Sequence, residues 1–273
     1  MRAGNAPLHW PQAALQAAVK PLAALAYVEV LPTIDSTNSE LMRRARLGDT
    51  RPCLLVAEQQ SAGRGRQGRT WQGQRADALT FSLGLMLAPP NWSGLSLAVG
   101  VCMAEALDPQ QSLGLGLKWP NDVWVGTPQA PRKLAGMLIE TVWVEGDNSA
   151  SRYTVIGIGI NLQGPVDGAL STPAAGLREW MGEALLPPDV LQRLLAPLVD
   201  GLRLFEAQGF APFKERFAKR DVLRGQALRL SNGQEGVACG VDASGVLQVD
   251  AADGRIAVSS DEVSVRLTVV GVA

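Results

Sequence analysis

The chain has 273 residues, 47% of them hydrophobic, and 25 basic against 26 acidic side chains for a net charge of −1. That is length for one large domain plus a small one, with too balanced a charge for a general nucleic-acid binder. A single histidine, His9, and three scattered cysteines without CxxC spacing leave little room for Ser-His-Asp, Cys-His or zinc chemistry, so any catalysis should rest on positioned charge.

No run approaches the ~18 apolar residues of a membrane span and no signal-peptide pattern opens the chain, so a soluble protein of the reducing cytoplasm, its three cysteines buried as thiols, is expected. Residues 11 to 26 are Ala/Leu-rich and helical in tendency, interrupted by Pro21, and Tyr27 to Leu31 alternates as a strand would. In Asp35-Ser36-Thr37-Asn38-Ser39-Glu40, Thr37 and Glu40 have capping-box spacing ahead of a helix running to about Leu47. Ser36, Thr37 and Asn38 therefore either cap a helix or offer a polar ligand head small hydrogen-bonding groups at a helix N-terminus.

A strand over Cys53 to Ala57 leads into a loop, Gln59 to Thr70, that holds Gly63, Gly65 and Gly68, Arg64, Arg66 and Arg69, and no acid. Glycine lets backbone N–H groups come close to a ligand and arginine offers a planar fork of donors, so this loop is an anion trap. Unneutralised, its like charges repel, and it should order on binding. The letters match GxGxxG, but Arg-Thr-Trp-Gln-Gly follows where a dinucleotide fold needs a helix. GxxxxGK[ST] is absent, so ATP bound here is not held by a P-loop. The bland alternative is an RGG-like segment touching nucleic acid, against which the net charge argues.

Three strands follow with small residues on one face: Ala78 to Leu87, Leu113 to Lys118, and Val155 to Asn161. Either a packed helix or a small ligand must approach those glycines, and Lys118 and Asn161 at two of the ends favour a ligand. Between them lie a helix over Ser93 to Leu107, a charged turn Lys118-Trp119-Pro120-Asn121-Asp122, a Pro-containing loop Gly126 to Arg132, and a strand-like run Lys133 to Glu140. Asp122 is either plain turn chemistry or a candidate Mg²⁺ ligand, and Lys133 is either a solvated surface group or, beside the Gly-lined strands, one that could sit on a phosphate. Leu162 to Gly176 reads as a second mobile loop, and Leu177 to Glu183, Pro188 to Ala207 and Phe210 to Lys219 read as helices. From about Asp221, short β-runs separated by Asn232-Gly233, Ser244-Gly245 and Asp253-Gly254 describe a small β-barrel. Two domains are expected, 1–220 and 221–273.

In order, Ser36-Thr37-Asn38, Gly63 to Trp71, Lys118-Trp119-Pro120-Asn121-Asp122, Lys133-Leu134-Ala135-Gly136 and Gly157-Ile158-Gly159-Ile160-Asn161-Leu162 resemble the motifs of biotin protein ligases. The resemblance implies an α/β (α+β) fold, a mixed β-sheet flanked by helices as in class II synthetases, followed by an SH3-like barrel. It implies a ligase that makes biotinyl-5′-AMP and pyrophosphate from biotin and ATP with Mg²⁺, then passes biotin to a lysine of a biotin carboxyl carrier domain. By the same resemblance Ser36, Thr37, Asn38 and Gln60 would bind biotin. Gly63, Arg64, Gly65 and Arg66 would grip its carboxylate and the phosphates, and Lys133 would stabilise the α-phosphate. Trp71 would cover the adenine side, Asp122 would help hold Mg²⁺, and Gly136 and Asn161 would line the pocket. The pattern starts near residue 30 without room for the helix-turn-helix of some relatives, so no DNA binding is expected. A lipoate-type ligase of the same fold is the nearest rival, a non-catalytic binder of biotinyl-AMP the more distant one, and a homodimer through an exposed sheet edge stays open.

Overall fold

The structure is a computed structural model that describes residues 8–71, 73–127, 130–144, 151–164, 173–259 and the backbone of 265–267. Its elements in chain order are α1 (Gln12–Val19), β1 (Tyr27–Leu31), α2 (Thr37–Arg46), β2 (Cys53–Ala57), β3 (Ala78–Leu87), α3 (Leu95–Leu107), β4 (Gly116–Lys118) and β5 (Asp122–Val125). There follow β6 (Arg132–Val142), β7 (Arg152–Asn161), α4 (Arg178–Met181), α5 (Pro187–Gln208), α6 (Lys214–Ala218), β8 (Ala227–Leu230), β9 (Glu235–Val241), β10 (Leu247–Ala251), β11 (Gly254–Val258) and β12 (Val265–Leu267).

Seven strands form one mixed sheet in the order β1-β2-β3-β7-β6-β5-β4, with β1 and β2 parallel across the α2 crossover and the other pairs antiparallel. The alternation read in the sequence decides what lies on each face. Phe81, Leu83, Leu85 and Leu87 of β3 join Ile156, Ile158 and Ile160 of β7 in the main core, which also takes in α3 and α5. Each such side chain, fully buried, contributes roughly 1.5–3 kcal/mol. The opposite face carries Thr80, Ser82 and Gly84 of β3 and Gly157, Gly159 and Asn161 of β7. There α2 packs through a smaller core of Leu41, Met42 and Ala45 against Leu55, Tyr153 and Val155.

The small-residue face is thus approached by the protein's own side chains. A methyl on Gly84 would overlap the Tyr153 hydroxyl, and one on Gly157 would overlap the Asn38 amide, so these two glycines make room for α2 and its neighbours. The third expected strand, Leu113 to Lys118, shortens to β4. Upstream of it the Asp108 carboxylate accepts the Leu113 and Leu115 N–H groups, 3.1 Å each, and Gly114 takes φ 66°, so this backbone is committed to a side chain and cannot join a ladder.

Other expectations shift by a turn or less. The cap of α2 is Ser36, whose hydroxyl accepts the Ser39 N–H, and not Thr37; the Glu40 carboxylate is drawn to Arg43 and Arg44 instead of back to the helix start. Leu177 to Glu183 reduces to the single turn of α4, and Phe210 to Lys219 to a 3₁₀ turn plus α6. Cys53 and Cys102 are buried, and burial pushes both thiols up to about 11, whereas Cys239 is only half-buried on the thin C-terminal sheet. Residues 165–172, the centre of the second expected loop, lie outside the described residues.

The C-terminal strands fall within about two residues of the runs read from the sequence and form an antiparallel sheet in the order β11-β10-β9-β8-β12. It is fastened to the large sheet on the side covered by α3. Gly245, at φ 80°, lets its turn come against Gly94 and Leu97, and the buried Trp119 donates from Nε1 to the Gly245 carbonyl at 3.2 Å. The connecting segment also occupies the edge of β4: Leu117 N–H donates to the Arg220 carbonyl and Val222 N–H to the Leu117 carbonyl. No helix among the described residues is long and apolar enough to cross a membrane.

Candidate active site

The site is assembled where the N-terminus of α2, the arginine loop and the ends of β5, β6 and β7 meet over the small-residue face. Ser36, Thr37 and Asn38 are all buried. Thr37 donates its backbone N–H to Gln60 Oε1 at 2.8 Å, which ties the helix start to the base of the arginine loop. The Asn38 amide donates to the Leu138 carbonyl (3.1 Å) and to Glu140 Oε2 (2.9 Å), and Ser82 Oγ lies 2.7 Å from both Asn38 Oδ1 and Thr37 Oγ1.

The arginine loop is a narrow hairpin. Trp71 N–H donates to the Gly63 carbonyl at 2.9 Å and Gly65 N–H to the Arg69 carbonyl at 2.7 Å, with Gln67 and Gly68 turning at φ 54° and 71°. A side chain on Gly63 would strike the Trp71 carbonyl, so glycine is required for the strands to meet there. The loop's charge has a partial counterweight that its own composition lacks. Arg64 Nη1 sits 3.1 Å from Glu140 Oε1, and Arg66 reaches Asn121 Oδ1 at 3.5 Å.

Trp71 lies on the glycine floor: a methyl on Gly159 would run into its ring, and one on Gly136 would crowd Lys133 and the ring edge. Lys133 Nζ is 5.8 Å from that ring's centroid and 2.6 Å from Asp122 Oδ1. The backbone of Lys133 is clamped, with its N–H on the Pro173 carbonyl and its own carbonyl accepting from Ala175 N–H (2.9 Å) and Asn161 Nδ2 (3.4 Å). Asn161 therefore works on Lys133's main chain. Lys118, beside Asp122 across β4 and β5, has its Nζ 5.3 Å from the centre of the Trp124 ring, and burial, opposed by Asp122, brings its ammonium down to about 8. The Lys118 ammonium feels three further cations, Lys133, Arg69 and Arg66, against the one carboxylate of Asp122, an arrangement built for a polyanion.

All thirteen residues singled out from the sequence therefore fall on this one face or its rim. Three that matter to its wiring escaped that reading: Ser82, Glu140 and Asn121, whose amide donates to the Met137 carbonyl at 2.7 Å. The available signals were a serine between Thr80 and Gly84 on a strand face and an acid closing the Lys133 to Glu140 run. His9 is exposed, outside this set.

The profile of the Biotin/lipoate A/B protein ligase family matches residues 30–161, a stretch from within β1 to the end of β7 that holds all thirteen of those residues. The chain is 30% identical over 249 residues to the Biotin--[acetyl-CoA-carboxylase] ligase of Paracoccus denitrificans, covering 86% of this chain and 98% of that one. It belongs to the biotin protein ligases. A further relative, the Bifunctional ligase/repressor BirA of Salmonella typhimurium, is 35% identical over 233 residues, 82% of this chain and 69% of its own length. Among solved structures, biotin protein ligase from Aquifex aeolicus in complex with biotin and ATP superposes with a TM-score of 0.73 at 27% identity, covering 88% of this chain and 99% of the other. The mixed sheet with flanking helices is the fold these ligases share.

Within this biotin protein ligase the tightest packing on the site face is at Gly157. Gly157→Ala should cost about 1–3 kcal/mol by overpacking and push Asn38 off its partners. Thermal melting together with the KM for biotin checks this: a lowered melting temperature and a raised KM are expected.

Proposed function

We propose that this ligase activates biotin with ATP and delivers it to a lysine of a biotin carboxyl carrier domain. The observation that carries the reading is the meeting, on one glycine-floored face, of a polar helix N-terminus, an arginine hairpin and the Asp122–Lys133 pair. In the first step a carboxylate oxygen of biotin attacks the α-phosphorus, the bond from that phosphorus to the bridging oxygen breaks, and pyrophosphate leaves. In the second, the carrier lysine's amine attacks the acyl carbon and AMP leaves. Both nucleophiles come from outside, so the protein's task is alignment and stabilisation of charge developing at phosphorus.

In this reading the biotin head sits at Ser36, Thr37, Asn38 and Gln60, while Arg64 and Arg66, with the Gly63 and Gly65 backbone, face its carboxylate and the phosphates. Lys133 exchanges Asp122 for the α-phosphate oxygen as charge grows there, Trp71 borders the adenine, and Gly136 and Asn161 keep the floor and Lys133 in place. Mg²⁺ binds through one or two carboxylates plus substrate phosphates. Among the described residues no cluster of three metal-binding side chains forms a site of its own, so the metal fits as a companion of the triphosphate with Asp122 as its protein ligand. When bound it neutralises phosphate charge. The domain division at about residue 220, without a DNA-binding role, and a reducing cytoplasmic setting that suits three free thiols, complete the proposal.

Biotin-dependent ATP–pyrophosphate exchange, run beside lipoate and octanoate, tests the first step. Exchange with biotin far faster than with either other acid is expected; faster exchange with lipoate moves the chain to the lipoate branch, and none with any acid leaves a non-catalytic binder. Arg66→Gly removes a cation at the hairpin tip and its contact with Asn121. Free biotinyl-AMP should then escape into solution several-fold faster, as read by labelling of bystander proteins or by direct chromatography.

A further inference from the structure

The polar groups beneath the α2 N-terminus can be oriented one by one, because each partner allows only one direction. Asn38 Nδ2 faces the Leu138 carbonyl at 3.1 Å and Glu140 Oε2 at 2.9 Å, which accept only, so the amide nitrogen must point to β6 and Oδ1 must point to Ser82. Ser82 is fully buried and has one proton; at 2.7 Å from Asn38 Oδ1 it donates there. Its contact with Thr37 Oγ1, also 2.7 Å, must then run the other way, with the Thr37 hydroxyl donating to Ser82 Oγ. The Thr37 proton is consequently spent, and Thr37 Oγ1 and Gln60 Oε1, 3.2 Å apart, both present lone pairs. Ser36 has the opposite polarity, since its oxygen accepts the Ser39 N–H at 3.4 Å and its proton is left to give. At the far end, Glu140 is held by Arg64 at 3.1 Å, so the chain of bonds runs unbroken from the arginine hairpin to the helix start.

We infer that Ser82 and Glu140 are positioning residues: through Asn38 they fix the direction of the Thr37 hydroxyl, so that the site selects a head group bearing N–H donors and a carbonyl, a cyclic urea, over an alkyl or dithiolane head. Neither residue touches the reacting atoms. The inference deepens the biotin-ligase reading and rests on it. Without the relay, the Thr37 hydroxyl turns to Gln60 Oε1, both acceptors are lost to a ligand N–H, and discrimination against acids that cannot donate weakens.

The test uses the full chain and three variants, Ser82→Ala, Glu140→Ala and Glu140→Gln, with the wild type as reference, in ATP–pyrophosphate exchange with biotin and with lipoate. For Ser82→Ala the KM for biotin should rise about tenfold or more while kcat at saturating biotin stays within about threefold, and the biotin-to-lipoate ratio of kcat/KM should fall by a similar factor. Glu140→Ala should behave in the same way. Glu140→Gln, whose amide oxygen still accepts from Asn38, should recover most of the ratio although its ion pair with Arg64 is gone. An unchanged ratio in Ser82→Ala overturns the inference, as does a loss of melting temperature and kcat with the ratio intact, which marks mere packing. Absence of biotin exchange in the wild type instead defeats the ligase reading itself, so the two failures are told apart.

Discussion

Lys133→Ala should slow biotin-dependent ATP–pyrophosphate exchange by about 30- to 1,000-fold, the equivalent of ~2–4 kcal/mol of transition-state stabilisation. The expectation rests on how firmly this ammonium is placed. Its main chain is fastened by Pro173, Ala175 and Asn161, and its Nζ pairs with Asp122 at 2.6 Å next to the Trp71 ring. With its main chain so fastened, only the side-chain head has to swing from Asp122 to the α-phosphate as charge develops there, and a cation placed at that point stabilises the developing charge directly. Biotin binding, measured by calorimetry without ATP, should change by less than about threefold, because the residue lies away from the α2 end of the site. Exchange at the wild-type rate would remove Lys133 from the role. In that event Lys118→Ala becomes the decisive variant, since its ammonium, on β4 two strands from β6, also faces the Asp122 carboxylate.

The second large effect concerns stability. Asp108 and Arg220 are 1% and 7% exposed, with Asp108 Oδ2 3.6 Å from Arg220 Nη1. The carboxylate also holds the Leu113 and Leu115 N–H groups, while the guanidinium donates to the Leu115 carbonyl at 3.1 Å and the Asp108 carbonyl at 2.6 Å. Removing one member of such a pair strands a buried charge and two buried donors, so Asp108→Ala should cost about 3–5 kcal/mol. Urea unfolding followed by fluorescence reads this as a midpoint drop of roughly 1–2 M at a typical slope of unfolding. A midpoint within about 0.3 M of wild type would mean that water or a rearranged backbone replaces the carboxylate. The consequence reaches the site: this cluster anchors the segment before β4 and the Arg220 carbonyl that binds Leu117, and β4 carries Lys118 at its end.

Much of the architecture was written locally. The alternation in Ala78 to Leu87 and Val155 to Asn161 names both faces of the sheet before any coordinate is known, because a strand's period of two assigns each side chain to one side. The C-terminal strands were legible because Asn-Gly, Ser-Gly and Asp-Gly pairs mark the turns between them. Where the reading slipped, a partner distant in sequence had intervened. Leu113 to Lys118 keeps the pattern of a strand, yet only Gly116–Lys118 is one, since Asp108 and Arg220 claim the backbone ahead of it. Glu40 has the spacing to close a capping box, yet Arg43 and Arg44 hold it.

The active site divides in the same way. Composition and spacing marked the arginine loop, the polar triplet at Ser36 to Asn38, and Asp122 and Lys133 as candidates, and the resemblance to biotin protein ligases gave them roles; glycine, arginine and an N-capping cluster have a chemistry that needs no knowledge of neighbours. Only the folded chain decided what those groups are joined to. Glu140 lies 76 residues from Arg64 and 102 from Asn38, and Ser82 lies 44 from Asn38, yet within hydrogen-bonding distance the three elements share one relay. The direction of each hydrogen bond depends on which acceptor and which donor the sheet register brings opposite one another. The charges and their kind were set by the sequence; their pairing, and with it the polarity of the pocket, was set by tertiary contact between strands and helix that no local pattern records.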